Sequence, residues 1–274
     1  MDDAVRAAIL GIVQGLTEFL PVSSSGHLIL VPSLFRWPDQ GLAFDVGLHL
    51  GTTLALLVYF WRDWLRMAGA VVKLLRARTL AAAPTGGDGR LLGLILVGSI
   101  PAAVVGLVFD SWIEEHVRQP WLVAITLAGV GGVMLLAERQ ARQQRGLGEI
   151  RLRDTIVIGL AQACALVPGV SRSGATISAG LFLGLTRDSA ARYAFLLGTP
   201  AFAGAALLKS GDLSAQGGQE RAELALGFAL SAIVGFAAIH FLLRFVRSHS
   251  LVPFVVYRWG VAALTLVIGA FRVA

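Results

Sequence analysis

The sequence predicts an all-α polytopic membrane protein. Of its 274 residues, 56% are hydrophobic and only 15% are charged, and the mean hydropathy of +0.73 is rarely reached by a water-soluble domain. Several apolar runs approach the roughly 20 residues that a helix needs to cross a bilayer, namely 91–109, 121–137, 224–243 and 251–270. Segments that alternate apolar and polar residues, as barrel strands do, are absent, so the spans are predicted to be helices.

The chain repeats itself at an offset of 148 residues. Matched pairs are Gly11 with Gly159, Gln14 with Gln162, Ser23 with Ser171, Ser25 with Ser173, and Gly26 with Gly174. We therefore expect a single membrane domain, 1–274, built from two diverged copies at about 4–137 and about 155–270.

Charged residues cluster between the apolar runs. Segments 62–90 and 138–154 are basic and are predicted to be cytoplasmic, whereas 110–120 and 209–223 are acidic and are predicted to lie on the other side. The net charge of +6 is therefore explained by membrane orientation, and we expect no nucleic-acid partner.

Four shorter segments do not fit as spans. The pair 4–20 and 25–35, and likewise the pair 155–167 and 174–185, are interrupted by Pro, Gly and Ser, so each pair is predicted to be a re-entrant hairpin. Each copy then has one hairpin and three transmembrane helices, which are 42–60, 91–109 and 121–137, followed by 191–208, 224–243 and 251–270. Three is an odd number, so the second copy is inverted, and the two hairpin tips should meet near the midplane.

Both hairpin tips are rich in serine and glycine. The first reads PVSSSGH at 21–27, and the second, PGVSRSGAT, begins at Pro168. A Ser/Gly turn that leads into a helix presents backbone N–H groups and the positive end of a helix dipole, which suits phosphate. The predicted phosphate-binding residues are Ser23, Ser25, Gly26, Ser171, Arg172, Ser173 and Gly174. The alternative is that Ser and Gly here only cap helices and allow close packing.

Charged and titratable residues in these apolar segments are the strongest signal. A charged Arg172 at membrane depth costs several kcal/mol, so it should line a cavity as a phosphate fork or form a buried ion pair with Glu18. Gln14 and Glu18 share one helix face, and His27 follows after the Pro21 turn. Glu18 could hold a divalent cation, and His27 could act as acid, base or nucleophile.

Further polar residues lie on the spans. Asp45 and His49 are four residues apart, and they could either support the site or be each other's partner. His240 and Arg258 lie near predicted loops, where they could reach the membrane interface by snorkelling, and both are predicted to be structural.

Three motifs give a family resemblance. QGLTEFLPVSSSGH at 14–27, FDVGLHLGT at 44–52 and PGVSRSGATI at 168–177 resemble the bacterial undecaprenyl-diphosphate phosphatases of the bacitracin-resistance type. The resemblance implies an inner-membrane hydrolase that removes the terminal phosphate of undecaprenyl diphosphate and recycles the carrier lipid for peptidoglycan synthesis. It also implies two inverted repeats with re-entrant helices, and a site that opens to the periplasm among membrane lipids.

The resemblance also assigns roles to residues. It implies that Glu18 binds a divalent cation, Mg²⁺ or Ca²⁺, that His27 is catalytic, that Ser24 and Ser23 are motif hydroxyls, and that Arg172 binds phosphate. The nucleophile stays open between Ser24, His27 and water, with Ser24 favoured. Because Gln14 stands where some members carry Glu, Glu18 is expected to be the main protein anion of the cation site.

Two other classes of protein are weighed against a phosphatase. A transporter or flippase of the phosphorylated lipid would share the inverted repeats and Arg172, but it has less need of His27 and Glu18. A structural scaffold predicts neither a charge at the midplane nor paired motifs, and it fits poorly. The residues indicate nothing about the oligomeric state.

Overall fold

The structure is a computed structural model that describes residues 3–38, 42–77, 87–209 and 218–273. Within these ranges the chain forms α-helices and one short 3₁₀ turn, Leu147–Glu149, and no β-strand. The helices are α1 (Asp3–Phe19), α2 (Ser24–Phe35), α3 (Leu42–Tyr59), α4 (Trp61–Ala77), α5 (Asp88–His116), α6 (Pro120–Gln140), α7 (Leu152–Cys164), α8 (Arg172–Phe182), α9 (Arg187–Lys209), α10 (Gly218–Phe245) and α11 (Val252–Val273). The predicted all-α class is confirmed.

Four of the described helices contain a segment long and apolar enough to cross a membrane. These segments are Asp88–Phe109, Pro120–Gln140, Glu220–Phe245 and Val252–Phe271, and they coincide with the four long apolar runs of the sequence. Their side chains face outward in large numbers, as Leu107 and Phe271 show with 71% and 78% exposure. An apolar surface of this extent is typical of a protein that is surrounded by lipid.

The two other predicted spans lie in α3 and α9. Segment 42–60 lies in α3, an apolar helix of 18 residues, which meets α4 at an angle of 70°. Segment 191–208 lies in α9, whose first turns carry Arg187, Asp188 and Arg192. The predicted span 191–208 therefore lies inside one continuous helix, behind these charged residues.

Helix α4 occupies part of a stretch that was predicted to be a loop, 62–90, and that prediction is wrong for residues 62–77. The helix is amphipathic: Met67 is buried and Trp64 packs beside it, whereas Arg62 and Arg66 are exposed. Such a helix, bent away from a membrane span, fits the plane of the membrane surface. The predicted loops 110–120 and 138–154 are also shorter than expected, since α5 continues to His116 and α6 to Gln140. Residues 78–86 and 210–217 of the predicted loops lie outside the described residues.

The connection between α6 and α7 is held by ion pairing. The guanidinium of Arg145 donates to the carboxylate of Asp154 and to the carbonyl oxygens of Leu183 and Glu149. Burial acts to raise the pKa of Asp154, but the hydrogen bonds from Arg145 and from the N–H of Arg151 outweigh it, so this pKa lies below its usual value. The carboxylate of Asp154 thus caps the start of α7 through the N–H of Arg151 (2.9 Å) and ties the connection to that helix through Arg145.

Glycines set the closest helix crossings. A Cβ added to Gly11 of α1 would lie 2.6 Å from the carbonyl oxygen of Gly227 on α10. A Cβ added to Gly159 of α7 would lie 3.2 Å from the Cα of Gly98 on α5. Small residues let helix backbones approach closely, as is common in membrane proteins. Each helix that leads into a Ser-rich turn thus packs against a helix from the other half of the chain.

Candidate active site

The two Ser-rich turns have the same local conformation. Ser23 and Ser171, which precede α2 and α8, have positive φ angles of 76° and 72°. Their Oγ atoms accept hydrogen bonds from the N–H groups of Gly26 (3.4 Å) and Gly174 (3.1 Å). Both serines are therefore N-caps, and the N–H groups of the two glycines, which were predicted to bind phosphate, are already engaged. Left-handed backbone at a non-glycine residue costs roughly 1–3 kcal/mol and is concentrated at functional sites.

The two turns touch each other. The hydroxyl of Ser173 donates to the carbonyl oxygen of Leu20 at 3.1 Å, and Ser173 is only 3% exposed. Ser173, predicted to bind phosphate, thus links the turns. Helix α6 supports the second turn, since the hydroxyl of Thr126 donates to the carbonyl oxygen of Pro168 at 2.7 Å.

A cavity of about 260 Å³ lies between the turns. Its lining consists of Thr17, Glu18, Ser23, Ser24, Ser25, His49, Ala102, Gln162, Ala165, Leu166, Ser171, Arg172, Ala201 and Phe202. Seven of the predicted site residues are therefore gathered around one cavity, and α2 and α8 both begin at its wall. Two helix N-termini at one cavity favour a negatively charged ligand.

Glu18 is the hub of the polar contacts in the cavity. Its Oε2 accepts hydrogen bonds from the hydroxyl of Ser24 (2.5 Å) and the amide of Gln14 (2.8 Å), and its Oε1 accepts one from Arg172 (2.9 Å). Gln14 does not line the cavity but holds the carboxylate from behind. The short contact between Ser24 and Glu18 brings a hydroxyl nucleophile within reach of a base.

Arg172 combines both roles that the sequence left open. It forms a buried ion pair with Glu18, and its side chain also lines the cavity, where it is 14% exposed. Its guanidinium carbon lies 3.3 Å from the ring centre of Phe202, a close cation–π contact. The ring and the carboxylate together fix the guanidinium at the cavity wall.

His27 does not face this cavity. Its Nδ1 lies 2.7 Å from the carbonyl oxygen of Ser23, so Nδ1 carries the hydrogen, and its Nε2 accepts a hydrogen bond from the hydroxyl of Tyr257 at 2.8 Å. The imidazole and the phenol ring are stacked with 5.7 Å between their centres. His27 therefore holds the backbone of the first turn and contacts α11.

His49 lines the cavity, but it is not paired with the side chain of Asp45. Its Nδ1 donates to the backbone carbonyl of Asp45 at 2.8 Å, and its Nε2 lies 3.6 Å from Oε2 of Glu18. The carboxylate of Asp45 instead pairs with Arg118 at 3.2 Å. Of the two alternatives left open for this pair, His49 lies beside the site, and its contact with Asp45 is to the backbone carbonyl of the preceding turn and not to the carboxylate.

The prediction that Arg258 snorkels to the interface is wrong. Arg258 is fully buried, with 0% exposure, and its guanidinium donates to carbonyl oxygens of both Ser-rich turns and of α6. His240 is exposed, and its ring contacts the hydroxyl of Tyr59 at 3.2 Å.

Three contributors to the site were not predicted. Gln162 lines the cavity, and its match to Gln14 in the sequence repeat was a signal that could have found it. Both polar atoms of its amide are buried and lack a hydrogen-bond partner among the described residues. Phe202 and Tyr257 gave no signal, since aromatic residues are common on apolar helices.

The site offers few protein ligands for a metal ion. Among the described residues no group of three or more His, Cys, Asp or Glu side chains could hold one, and Glu18 is the only carboxylate in the cavity wall. Mg²⁺ is commonly held by one or two carboxylates together with substrate phosphates and waters. Glu18 fits that pattern, and the hydroxyl groups of the cavity wall add further oxygen atoms beside it.

Fold and site together define a helical, multi-pass membrane protein with a buried polar cavity suited to an anionic group. The family model described as bacitracin resistance protein BacA matches residues 7–264, and the chain belongs to that family. Curated relatives named undecaprenyl-diphosphatase are similar over nearly their whole length. That of Rubrobacter xylanophilus is 50% identical over 270 residues, which cover 96% of this chain and 97% of the relative. The relative from Thermomicrobium roseum is 46% identical over 276 residues, which cover 97% of this chain and 98% of the relative. The relative from Moorella thermoacetica is 44% identical over 264 residues, which cover 96% of this chain and 97% of the relative.

Proposed function

We propose that the chain is a membrane phosphatase that hydrolyses undecaprenyl diphosphate to undecaprenyl phosphate and phosphate. Its relatives carry that name at 44–50% identity over almost the full chain. The observation that carries the proposal is the contact of 2.5 Å between Ser24 and Glu18, in a cavity that also holds Arg172. A protein that only transports the lipid does not need a serine hydroxyl that donates to a carboxylate base, so this contact favours hydrolysis over transport.

The first chemical step transfers the terminal phosphoryl group to Ser24. Arg172 and the N-terminal ends of α2 and α8 bind phosphate oxygens and stabilise the charge that builds up on them. Glu18 accepts the hydroxyl proton while Oγ of Ser24 bonds to the terminal phosphorus. The anhydride P–O bond breaks, and undecaprenyl phosphate leaves with the bonding electrons.

The second step regenerates the enzyme. Water attacks the phosphoserine, and the bond between Oγ and phosphorus breaks as Glu18 returns its proton to the serine oxygen. The hydrogens of the water leave with the released phosphate. In this scheme His27 holds the Ser23 turn through its Nδ1–H and does not itself transfer the proton.

A divalent cation is part of the proposal, with Glu18 as its protein ligand and Mg²⁺ as the ion that the donor set fits best. When bound, the cation would neutralise charge on the diphosphate. Arg172 and Ser24 already occupy the oxygens of Glu18, so the cation would share this carboxylate with them.

The proposed architecture is two inverted repeats, each with a re-entrant hairpin, namely α1 with α2 and α7 with α8. The matching cap geometry of Ser23 and Ser171 supports this arrangement. We further propose the bacterial inner membrane as the location, with the site open to the periplasm, as the acidic charge of segment 110–120 favours. A reporter fused after Arg118 is expected to be periplasmic, and a cytoplasmic reporter would overturn this orientation.

The test is phosphate release from undecaprenyl diphosphate by the protein purified in detergent, with Mg²⁺ and with a chelator. Ser24→Ala is expected to lower kcat by at least about 10³-fold, because it removes the nucleophile. Ser178→Ala is the matched control, since Ser178 is a buried serine outside the cavity whose hydroxyl has no hydrogen-bond partner among the described residues. It should stay within about twofold of the parent.

Two further results decide the proposal. An acid-quenched reaction should yield a phosphate adduct on the peptide that contains Ser24, and on no peptide of the Ser24→Ala protein. If the folded parent releases no phosphate with Mg²⁺ or Ca²⁺, the phosphatase proposal fails, and a lipid-flipping assay is then the next experiment.

A further inference from the structure

Arg258 lies where the two Ser-rich turns meet. Its Nη1 donates to the carbonyl oxygen of Pro21 in the first turn at 3.3 Å. Its Nη2 donates to the carbonyl oxygens of Gly169 (2.8 Å) and Val170 (3.2 Å) in the second turn. One guanidinium therefore bridges backbone that is separated by nearly 150 residues in the sequence.

The same guanidinium is anchored to a third element. Its Nε donates to the carbonyl oxygen of Leu127 at 3.0 Å, and its Nη2 is also 3.4 Å from that of Thr126, both on α6. A buried charge in a membrane protein is costly, and here every hydrogen bond that the structure shows for Arg258 goes to a backbone carbonyl. The arrangement uses the planar fork of five N–H donors, which lysine does not have.

The carbonyl groups that Arg258 contacts in the turns need such a partner. Where a helix ends, the last carbonyls lack an intrahelical donor, and leaving buried carbonyls unpaired is unfavourable. Pro21 lies in the turn between α1 and α2, and Gly169 and Val170 lie in the turn between α7 and α8, so their carbonyl oxygens are outside any helix and need another donor. Arg258 thus supplies the hydrogen bonds that water would otherwise give to these carbonyl groups, in a region where the arginine itself is fully buried.

We propose that Arg258 is a positioning residue that fixes the spacing between Ser24 and Glu18 on one side of the cavity and Arg172 on the other. Its effect on turnover rests on the proposed function. Phosphoryl transfer needs the nucleophile, the base and the charge-stabilising group in one geometry, and a misplacement of about 1 Å can cost about 10²-fold in rate. Arg258 does not line the cavity, so it acts through the turns and makes no contact with the substrate.

The first test compares Arg258→Met and Arg258→Lys with Trp259→Phe. Trp259 is the adjacent residue on α11 and donates to the carbonyl oxygen of Ala128 on α6 at 3.0 Å, but it contacts neither turn through a hydrogen bond in the structure. For folded protein, both Arg258 variants should lower kcat by about 10²-fold with KM changed less than about threefold, and Trp259→Phe should stay within about twofold. Full activity of Arg258→Lys would show that the planar guanidinium group is not needed, and it would overturn the proposal.

The second test is a double-mutant cycle with Arg172→Lys. If Arg258 acts by placing Arg172, then Arg258→Met should cost less than about fivefold in the Arg172→Lys background. If Arg258 only stabilises the whole protein, the two losses should multiply, and the proposal is then wrong.

The third test does not depend on enzyme activity. Hydrogen exchange should become faster in the peptides that cover residues 20–27 and 168–175 when Arg258 is Met, and not when Trp259 is Phe. Unchanged exchange in these peptides would refute the bridging role even if turnover falls. If the parent releases no phosphate, the proposed function fails, while this exchange measurement still decides whether Arg258 holds the turns.

Discussion

Phe202 allows a quantitative prediction about Arg172, the arginine that we propose binds phosphate. The guanidinium carbon of Arg172 lies 3.3 Å from the centre of the Phe202 ring, inside a cavity where the arginine side chain is only 14% exposed. A cation–π contact of this kind is worth about 1–2 kcal/mol when it is largely desolvated. Replacing Phe202 by Leu keeps an apolar side chain of similar bulk but removes the ring.

The expected loss follows from that energy. A factor of ten in rate corresponds to about 1.4 kcal/mol, so Phe202→Leu should lower kcat/KM by about 5–30-fold. Phe202→Tyr keeps the ring and should stay within about threefold of the parent. The assay is phosphate release from undecaprenyl diphosphate by protein that shows the parent's thermal unfolding temperature.

A matched control excludes a general effect of losing an aromatic ring. Phe241 lies on α10, is 51% exposed and does not line the cavity, so Phe241→Leu should leave kcat/KM unchanged. If Phe202→Leu is as active as Phe241→Leu, the ring does not support Arg172, and the role given to this contact is wrong.

Two further predictions concern stability. Gly169 has a φ of +89°, and an added Cβ would lie 2.8 Å from the carbonyl oxygen of Val123. Gly169→Ala should therefore destabilise the protein by about 1–3 kcal/mol. The control is Gly132→Ala on α6, where an added Cβ would have no atom within 4 Å, and this variant should unfold thermally at the parent's temperature or slightly above it. Asp154 has a pKa below that of the unfolded chain, so its pairing stabilises the fold above pH of about 4 and is lost as the pH falls through the lower folded value. Asp154→Asn should therefore be less stable than the parent at pH 7, and the difference should shrink on acidification; a constant difference would contradict the ion-pair account.

The polar core of the site was predictable because it contrasts with its surroundings. Glu18, Ser24 and Arg172 stand out in apolar sequence, and the repeat indicated that their two turns would meet. In the structure these three residues line one cavity. Their pairing could not be read from the sequence in full, since Arg172 turned out to serve both an ion pair and the cavity wall.

Arg258 illustrates what the sequence hides. It satisfied the same criterion as Arg172, a charge within an apolar run, but its position near a helix end suggested an exit to the interface. Only the three-dimensional structure shows that the start of α11 lies against both turns, where the guanidinium has no path to the surface. Similarly, the facing direction of His27 depends on one rotamer and on Tyr257, which lies 230 residues away in the chain.

Helix α4 was not predicted from the sequence, because this helix is amphipathic and was not recognised from its average hydropathy. The charges of α4 indicated a loop, but Trp64 and Met67 recur at helical spacing and bury one face of the helix.

The glycine crossings have a consequence for how the protein is made. Gly11 of α1 packs on Gly227 of α10, which is translated roughly 200 residues later, about 10–40 s at ordinary rates of synthesis. Gly159 of α7, by contrast, finds Gly98 of α5 already inserted. Helix α1 is therefore synthesised before its packing partner α10 exists. We expect insertion factors to be needed for α1 more than for the other helices. A chain truncated before α10 should be degraded early by membrane proteases.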